Sequence, residues 1–472
     1  MTAIDVSILL AGVLIVLVMI GVRVAFATGF IGFLGIVLVF MFERNQPFLA
    51  FTPNGDLAGA FGIALQIAGQ IPHSKMSSYV LGLIPTFILI GFLAYYAGLT
   101  RALFEAAKRW VAWLPGGLGL STVFATAGFA AVSGASVATS AVFARIAIPE
   151  MLRLNYDKRF AAGVVAAGGT LASLIPPSAI LVIYAIITES SVGQLLLAGF
   201  LPGAVSALIY GGLVILLARM RPDLGPPVAG FTLKERFAVL PGALPILFVV
   251  FIIIFCIYGG WGTPTEAGAL GAFVVLVMAL WRGMSWPDLR DALVESAKLS
   301  AMILTMIWGV LIYVRYLGFA DLPGAFADWI TSLEQPPMLT LLCILLAYVV
   351  LGMFMDAIGM LILTLPITFP AVIALNGGPD VTAEASALGM TADQCAVWFG
   401  IIVVKMAELC LITPPIGLNC YVVAGVARER YGITVQDVFR GASPFFIADV
   451  ATVAVLIAFP GIVLWLPGLV IG

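Results

Sequence analysis

The sequence predicts an all-α polytopic membrane protein with two inverted repeats, each a re-entrant helical hairpin followed by a proline-broken helix. Three observations carry this. Of 472 residues, 62% are apolar and only 10% are charged, far from the roughly 45–50% and 25% of soluble domains. Two long apolar segments are too long for one crossing and too short for two. Two proline pairs, 238 positions apart, break the helices that follow them. The composition excludes a soluble enzyme, a disordered chain and a nucleic-acid binder. The five cysteines form no CxxC and read as buried reduced thiols. The single histidine, His73, leaves no Ser-His relay and no His/Cys metal cluster to build.

Uninterrupted apolar runs predict simple spans at 4–22, 24–42, 78–98, 204–220, 241–261, 265–281, 299–318 and 444–469. Each crosses about 30 Å at about 1.5 Å per residue, with some tilt. The first run lacks a basic leader and a cleavage site, so it reads as a mature span. Residues 99–113 and 286–296 mix charges with Phe, Trp, Leu and Ala, as helices lying in the interface do. His73 falls in a loop before the third span.

The segment 116–150 would be about 52 Å as one helix. Its centre, SGASVATS around Gly134, weakens a helix, and basic residues flank both ends: Arg101, Lys108 and Arg109 before, Arg153, Lys158 and Arg159 after. Both ends are then cytoplasmic, and the segment dips in and returns. The segment 337–375, about 58 Å, is interrupted around Asp356, and only acidic residues flank it, so both its ends are periplasmic. The helices that follow, 160–188 and 396–427, are broken at SLIPPSAI and CLITPPIG. Proline removes a backbone donor and pushes its predecessor out of the α region. Unwound backbone at mid-membrane survives only inside protein or against a hydrated site. With the remaining basic residues inside, both termini come out periplasmic and the two units are inverted, the mark of a secondary transporter.

The domain plan is therefore scaffold spans and a first arm over 1–115; a first transport core over 116–203; scaffold, a cytoplasmic linker at 221–237 and a second arm over 204–298; a span and periplasmic connection over 299–336; a second core over 337–427; and a C-terminal span over 428–472.

At the first hairpin tip Ser133, Gly134, Ser136 and Thr139 face the unwound stretch from Thr170 to Pro177. Hydroxyls and half-helix carbonyls are hard neutral donors that suit sodium better than a transition metal. Taken alone, such small residues also serve close helix packing. At the second, Gly352 and Asp356 face 408–415. An aspartate inside an apolar hairpin costs about 2.5–3.5 kcal/mol and reads as a cation ligand, or else as an acid pinning the tip. Lys405 and Glu408 share one helical face and form either a buried ion pair or a coupling and substrate-anion site. Ser178 and Asn419 are further substrate or coupling candidates. Arg315 either meets an anionic substrate or snorkels to the interface. Glu266 in GTPTEAG reads as a helix-start cap.

Several long strings resemble the large membrane (M) subunit of tripartite ATP-independent periplasmic (TRAP) transporters: AVSGASVATSA at 131–141, PEMLRLNYDKRFAAGVVAAGGTLASLIPPSAILVIYAI at 149–186, SSVGQLLLAGFLPG at 190–203, TPTEAGA at 263–269 and FGIIVVKMAELCLITPPIGLN at 399–419. The resemblance implies an elevator, in which a core of hairpins and broken helices moves against a scaffold braced by a small membrane (Q) subunit. It implies sodium as the coupling ion with no other cofactor, and an organic acid anion, commonly a carboxylate, delivered by a periplasmic solute-binding (P) protein to the inner membrane of a bacterium or archaeon. One sodium site would use Ser133, Ser136, Ala172, Ile175 and Pro177, and the other Gly352, Asp356, Cys410, Thr413 and Pro415. Family members usually carry glycine where this chain has Ala172 and Cys410, and a carbonyl donor survives either change. Extra length at 48–77 and 376–391 sets the chain apart from many relatives.

An intramembrane enzyme lacks its base, and HExxH and Walker A patterns are absent. A passive channel lacks a TVGYG-like filter or charged rings. The nearest alternative is a stand-alone sodium- or proton-coupled elevator carrier for dicarboxylates.

Overall fold

Helix starts follow capping chemistry. In the computed structural model, which describes residues 3–41, 57–76, 79–228 and 230–470, the threonines of TPTE and TVQD accept from the amides of Glu266 and Asp437, and those acids accept in return from the threonine amides. Glu266 is thus the cap that the sequence predicts.

Among the described residues every regular element is helical: α1 (Ala3–Met19), α2 (Val24–Met41), α3 (Leu57–Met76), α4 (Leu83–Tyr96), α5 (Leu99–Val111), α6 (Gly117–Ser133), α7 (Ser136–Arg153), α8 (Lys158–Thr170), α9 (Ala179–Thr188), α10 (Val192–Met220), α11 (Leu233–Ala238), α12 (Leu240–Tyr258), α13 (Pro264–Trp281), α14 (Trp286–Ala320), α15 (Leu322–Ser332), α16 (Pro337–Gly352), α17 (Ala357–Asn376), α18 (Ala392–Cys410), α19 (Leu418–Tyr431), α20 (Val435–Ala458) and α21 (Gly461–Val470). Among the described residues seven helices are long and apolar enough to cross a membrane, or eight if α4 and α5, bent by 69°, count as one.

Where the sequence places simple spans, the helices differ in three places. The run at 204–220 begins at Val192, capped by the Ser191 hydroxyl, because Pro202 sits inside the helix rather than ending it. The arm at 286–296 and the span at 299–318 are one 35-residue helix, since no glycine or proline separates them. The last span starts at Val435, absorbs Pro444, and stops before Pro460. Intramembrane helices tolerate such prolines because neighbours re-satisfy the freed carbonyls. His73, expected in a loop, lies in α3, which takes up 57–76 of the predicted extra length. The rest of the predicted extra length, 48–56 and Ser77, lies outside the described residues. No disulfide joins the five cysteines; Cys395, Cys410 and Cys420 are buried, but Cys343 is exposed.

The chain divides into two compact units. One comprises 1–81, 186–190 and 300–396. Within it α16 and α17 pack together, joined at Tyr348 Oη and Thr368 Oγ1, 2.8 Å apart, and α17 also packs on α15 and α2. The other comprises 82–185, 191–299 and 397–472. There α6 and α7 pack on each other and on α8, while α8 runs against α20. At that crossing a Cβ on Gly163 would collide with the Gly441 backbone, the close approach that small residues permit between apolar helices. At one end, Asp437 accepts from Lys158 at 3.2 Å and from Arg159 at 3.1 Å, tying the start of α20 to that of α8.

Candidate functional site

The first predicted site lies wholly within the second unit. The α6–α7 turn is made by Gly134 at φ 58 and by extended Ala135. Opposite it, α8 ends at Thr170, a short 3-10 turn covers Leu171–Ser173, and α9 begins only at Ala179. The break follows from the proline pair. In a continued helix, residues 176 and 177 would donate to the carbonyls of Ala172 and Ser173, and neither proline has an N–H. The Ser178 hydroxyl takes over the Ser173 carbonyl and also accepts from the Leu181 amide at 3.3 Å. Among the described residues no backbone amide donates to the carbonyls of Ala172, Ile175 or Pro177.

The tip is seated on this loop. The Gly134 carbonyl accepts from the Ala179 amide at 3.5 Å, and a Cβ on Gly134 would strike the Pro177 carbonyl oxygen. Ser136 Oγ donates to the Thr170 carbonyl at 3.4 Å and pairs with Ser173 Oγ. Ser133 Oγ and Thr139 Oγ1 lie 2.9 Å apart. Ser133, Ser136, Thr139, Thr170, Ser173 and Ser178 are all buried. Ser133, Gly134, Ser136, Thr170, Pro177 and Ser178 are therefore brought together. Ala172 and Ile175 stand in the same unwound stretch, Ile175 packed against Gly203 of α10. The arrangement offers neutral hydroxyl and carbonyl oxygens with no imidazole or thiolate, a donor set for a small hard cation. Ser133 also borders a cleft with Gly91, Tyr95, Ala135 and Leu299.

Of the second predicted site, Gly352 and Asp356 belong to one unit and Cys410, Thr413 and Pro415 to the other. Asp356 is the N-cap of α17, accepting from the Gly359 amide at 3.2 Å. It holds the start of the second helix of its hairpin, and such a cap leaves carboxylate lone pairs over. Beyond Cys410 the helix is unwound until Leu418, and the Thr413 hydroxyl donates back to Leu409 at 2.6 Å. The two proline breaks differ here. The Cys410 carbonyl is taken by the Thr413 amide at 3.3 Å, and that of Leu411 by the Asn419 amide at 3.0 Å. Arg315 is exposed on α14.

Lys405 and Glu408 are an ion pair at 2.7 Å, both 0% exposed. Sequence reasoning missed the third member. Lys405 Nζ also reaches Asp449 Oδ1 of α20 at 2.6 Å, again at 0% exposure. The Tyr210 hydroxyl of α10 donates to the same oxygen at 2.6 Å, and Lys405 Nζ stands 5.2 Å from the Tyr210 ring centroid. Two acids thus share one ammonium, with Glu408 Oε1 and Asp449 Oδ2 left unpartnered. Asn419 donates to the Ala166 carbonyl of α8 at 3.2 Å. An acid inside the 444–469 apolar run satisfies the criterion that singled out Asp356, so Asp449 itself, though not its partners, was readable by the same rule.

Comparisons with known proteins show the family. The family model described as "Tripartite ATP-independent periplasmic transporter, DctM component" matches residues 11–462. The chain is 34% identical over 391 residues to the C4-dicarboxylate TRAP transporter large permease protein DctM of Pseudomonas aeruginosa, covering 82% of this chain and 86% of that protein. It is 29% identical over 414 residues to the isethionate TRAP transporter permease protein DctMQ of Oleidesulfovibrio alaskensis, covering 87% of this chain and 62% of that protein. Among solved structures, the YdaH transporter of Alcanivorax borkumensis, described as having an unusual topology, superposes with a TM-score of 0.59 at 12% identity over 93% of this chain and 98% of that one, a likeness of fold alone. The chain belongs to the DctM family, the large permease subunits of TRAP transporters, and is a membrane transporter component rather than an enzyme.

Proposed function

We propose that this permease imports a small organic acid anion across the inner membrane, driven by sodium, with the substrate handed over by a periplasmic binding protein and a small membrane subunit bracing the scaffold. The observation that carries the sodium reading is the seating of the Ser133–Ser136 tip on the proline-broken stretch from Thr170 to Pro177, with carbonyls of Ala172, Ile175 and Pro177 free of backbone donors. A bare monovalent cation exchanges its hydration shell for oxygens of this kind, as interrupted helices provide in other carriers. Lys405, Glu408, Ser178, Asn419 and Arg315 are the candidates for coupling and for meeting the anion. The hairpins and broken helices form the moving core of an elevator, with both termini periplasmic. The names of the relatives, a C4-dicarboxylate permease and an isethionate permease, support an organic acid as cargo.

Reconstitution tests this. Proteoliposomes holding the permease and its small subunit are expected to accumulate labelled C4-dicarboxylate or isethionate only with an inward sodium gradient and with the cognate binding protein outside. Accumulation by the permease alone would replace this reading with the stand-alone carrier, and accumulation driven equally by a proton gradient without sodium would remove the sodium sites.

A further inference from the structure

Beside the first cation site, and ending at its Thr170, lies a chain of hydrogen bonds that begins in the buried ion cluster. Asp449 Oδ1 accepts from both Lys405 Nζ and Tyr210 Oη, each at 2.6 Å. A carboxylate with an ammonium on the same oxygen is the strongest acceptor within reach of the Tyr210 proton, so that hydroxyl is fixed as donor to Asp449. Its lone pairs then face Thr170 Oγ1, 3.3 Å away. Thr170 Oγ1 also lies 2.7 Å from the Ala167 carbonyl, so it donates its single proton in a shared, three-centre bond to that carbonyl and to the Tyr210 oxygen. The carbonyl of this same Thr170, the last residue of α8 before the unwound stretch, receives the Ser136 hydroxyl of the hairpin tip. Three helices, α18, α20 and α10, thus converge through Tyr210 on the residue where α8 stops being helical. Tyr210, Thr170, Lys405 and Asp449 are each buried, so no water competes for these bonds.

We infer that Tyr210 and Asp449 are positioning residues for the first cation site, fixing the Thr170 end of α8 so that its carbonyl and the Ser136 hydroxyl stay in register for the ion. Neither need touch the ion. The inference rests on the sodium reading above. It gives the buried triad a task besides stability: a charged anchor on one side of Thr170, with the hairpin tip on the other. An anchored ligand set discriminates between ion sizes, because the oxygens do not close in on a smaller ion.

Sodium-dependent thermal stabilisation of the purified full-length chain, in sodium chloride against choline chloride at constant ionic strength, tests this without transport. Tyr210→Phe keeps the ring and removes only the hydroxyl. The sodium concentration for half-stabilisation is expected to rise about two- to tenfold, the worth of one net hydrogen bond, and discrimination between sodium and lithium to narrow. Tyr316→Phe, which removes another buried hydroxyl, bonded at 2.8 Å to Ser7 Oγ, is the control: it lowers the melting temperature without moving the sodium midpoint. If Tyr210→Phe yields no folded protein, Asp449→Asn, which keeps the shape but removes the charge that fixes the Tyr210 hydroxyl as donor, carries the same expectation. Wild-type protein stabilised by sodium with an unmoved midpoint in the variant overturns the inference and leaves the sodium reading standing. Wild-type protein indifferent to sodium overturns both.

Discussion

Lys405→Met is expected to cost about 3–5 kcal/mol, the usual effect of removing one partner from a buried ion pair, and to appear as lost folded yield and a lower melting temperature in detergent. The size follows from what remains. Lys405 Nζ stands 2.7 Å from Glu408 and 2.6 Å from Asp449, with all three side chains at 0% exposure. Methionine fills the space but leaves two carboxylates facing each other in an apolar interior. Transferring an unpaired carboxylate from water costs several kcal/mol even after relaxation, and here there would be two. The same reasoning gives a rescue. Adding Glu408→Gln and Asp449→Asn to Lys405→Met removes both stranded charges, so the triple variant is expected to recover most of the lost stability, a strongly non-additive result for residues in one network. Size-exclusion profiles and melting curves of the single and triple variants measure this. A single variant that melts with the wild type would show that the two acids do not depend on the ammonium, and would place their neutralisation elsewhere.

That triad also marks the line between what the sequence makes legible and what it does not. Breaks in helices are local events. A proline pair leaves two carbonyls without their helical donors wherever it occurs, so the unwound stretches after Ala172 and Cys410 follow from the residues themselves, and so does the turn at Gly134 between two apolar runs. Caps are local too, which is why Glu266 was readable. Proline alone was a poor stop signal: Pro202 and Pro444 lie inside helices because a packed neighbour, not water, surrounds them. Long-range pairing was out of reach. Tyr210 and Asp449 are 239 positions apart, and both sit on helices apolar around most of their circumference. Such a helix has no polar face to say which side turns inward. Lys405 and Glu408 were found because they share one turn; Asp449 and Tyr210, their partners on other helices, were not.

Gly134→Ala is expected to lower sodium-coupled uptake at least about tenfold while leaving the protein folded. Two costs fall on this one methyl group. Gly134 has φ 58, a left-handed conformation that costs an L-residue about 1–2 kcal/mol. Its Cβ would also collide with the Pro177 carbonyl oxygen, and this second cost cannot be met locally, because Pro177 is held by the unwound stretch and Gly134 by the start of α7. The tip must lift, which separates Ser136 from the Thr170 carbonyl and opens the oxygen cage. Loss of about 1.4 kcal/mol of ion binding is already tenfold in affinity. Gly98 separates the two costs: it has φ 72 at the bend between α4 and α5, and a Cβ added there would meet nothing within 4 Å. Gly98→Ala therefore carries the backbone penalty without the collision and is expected to lose some thermal stability while keeping its sodium midpoint. Measuring uptake and sodium-dependent stabilisation for both variants decides the matter. Equal effects from Gly98→Ala and Gly134→Ala would mean that backbone strain alone accounts for the loss. A sodium midpoint shifted only in Gly134→Ala ties the ion to the contact between the hairpin tip and Pro177.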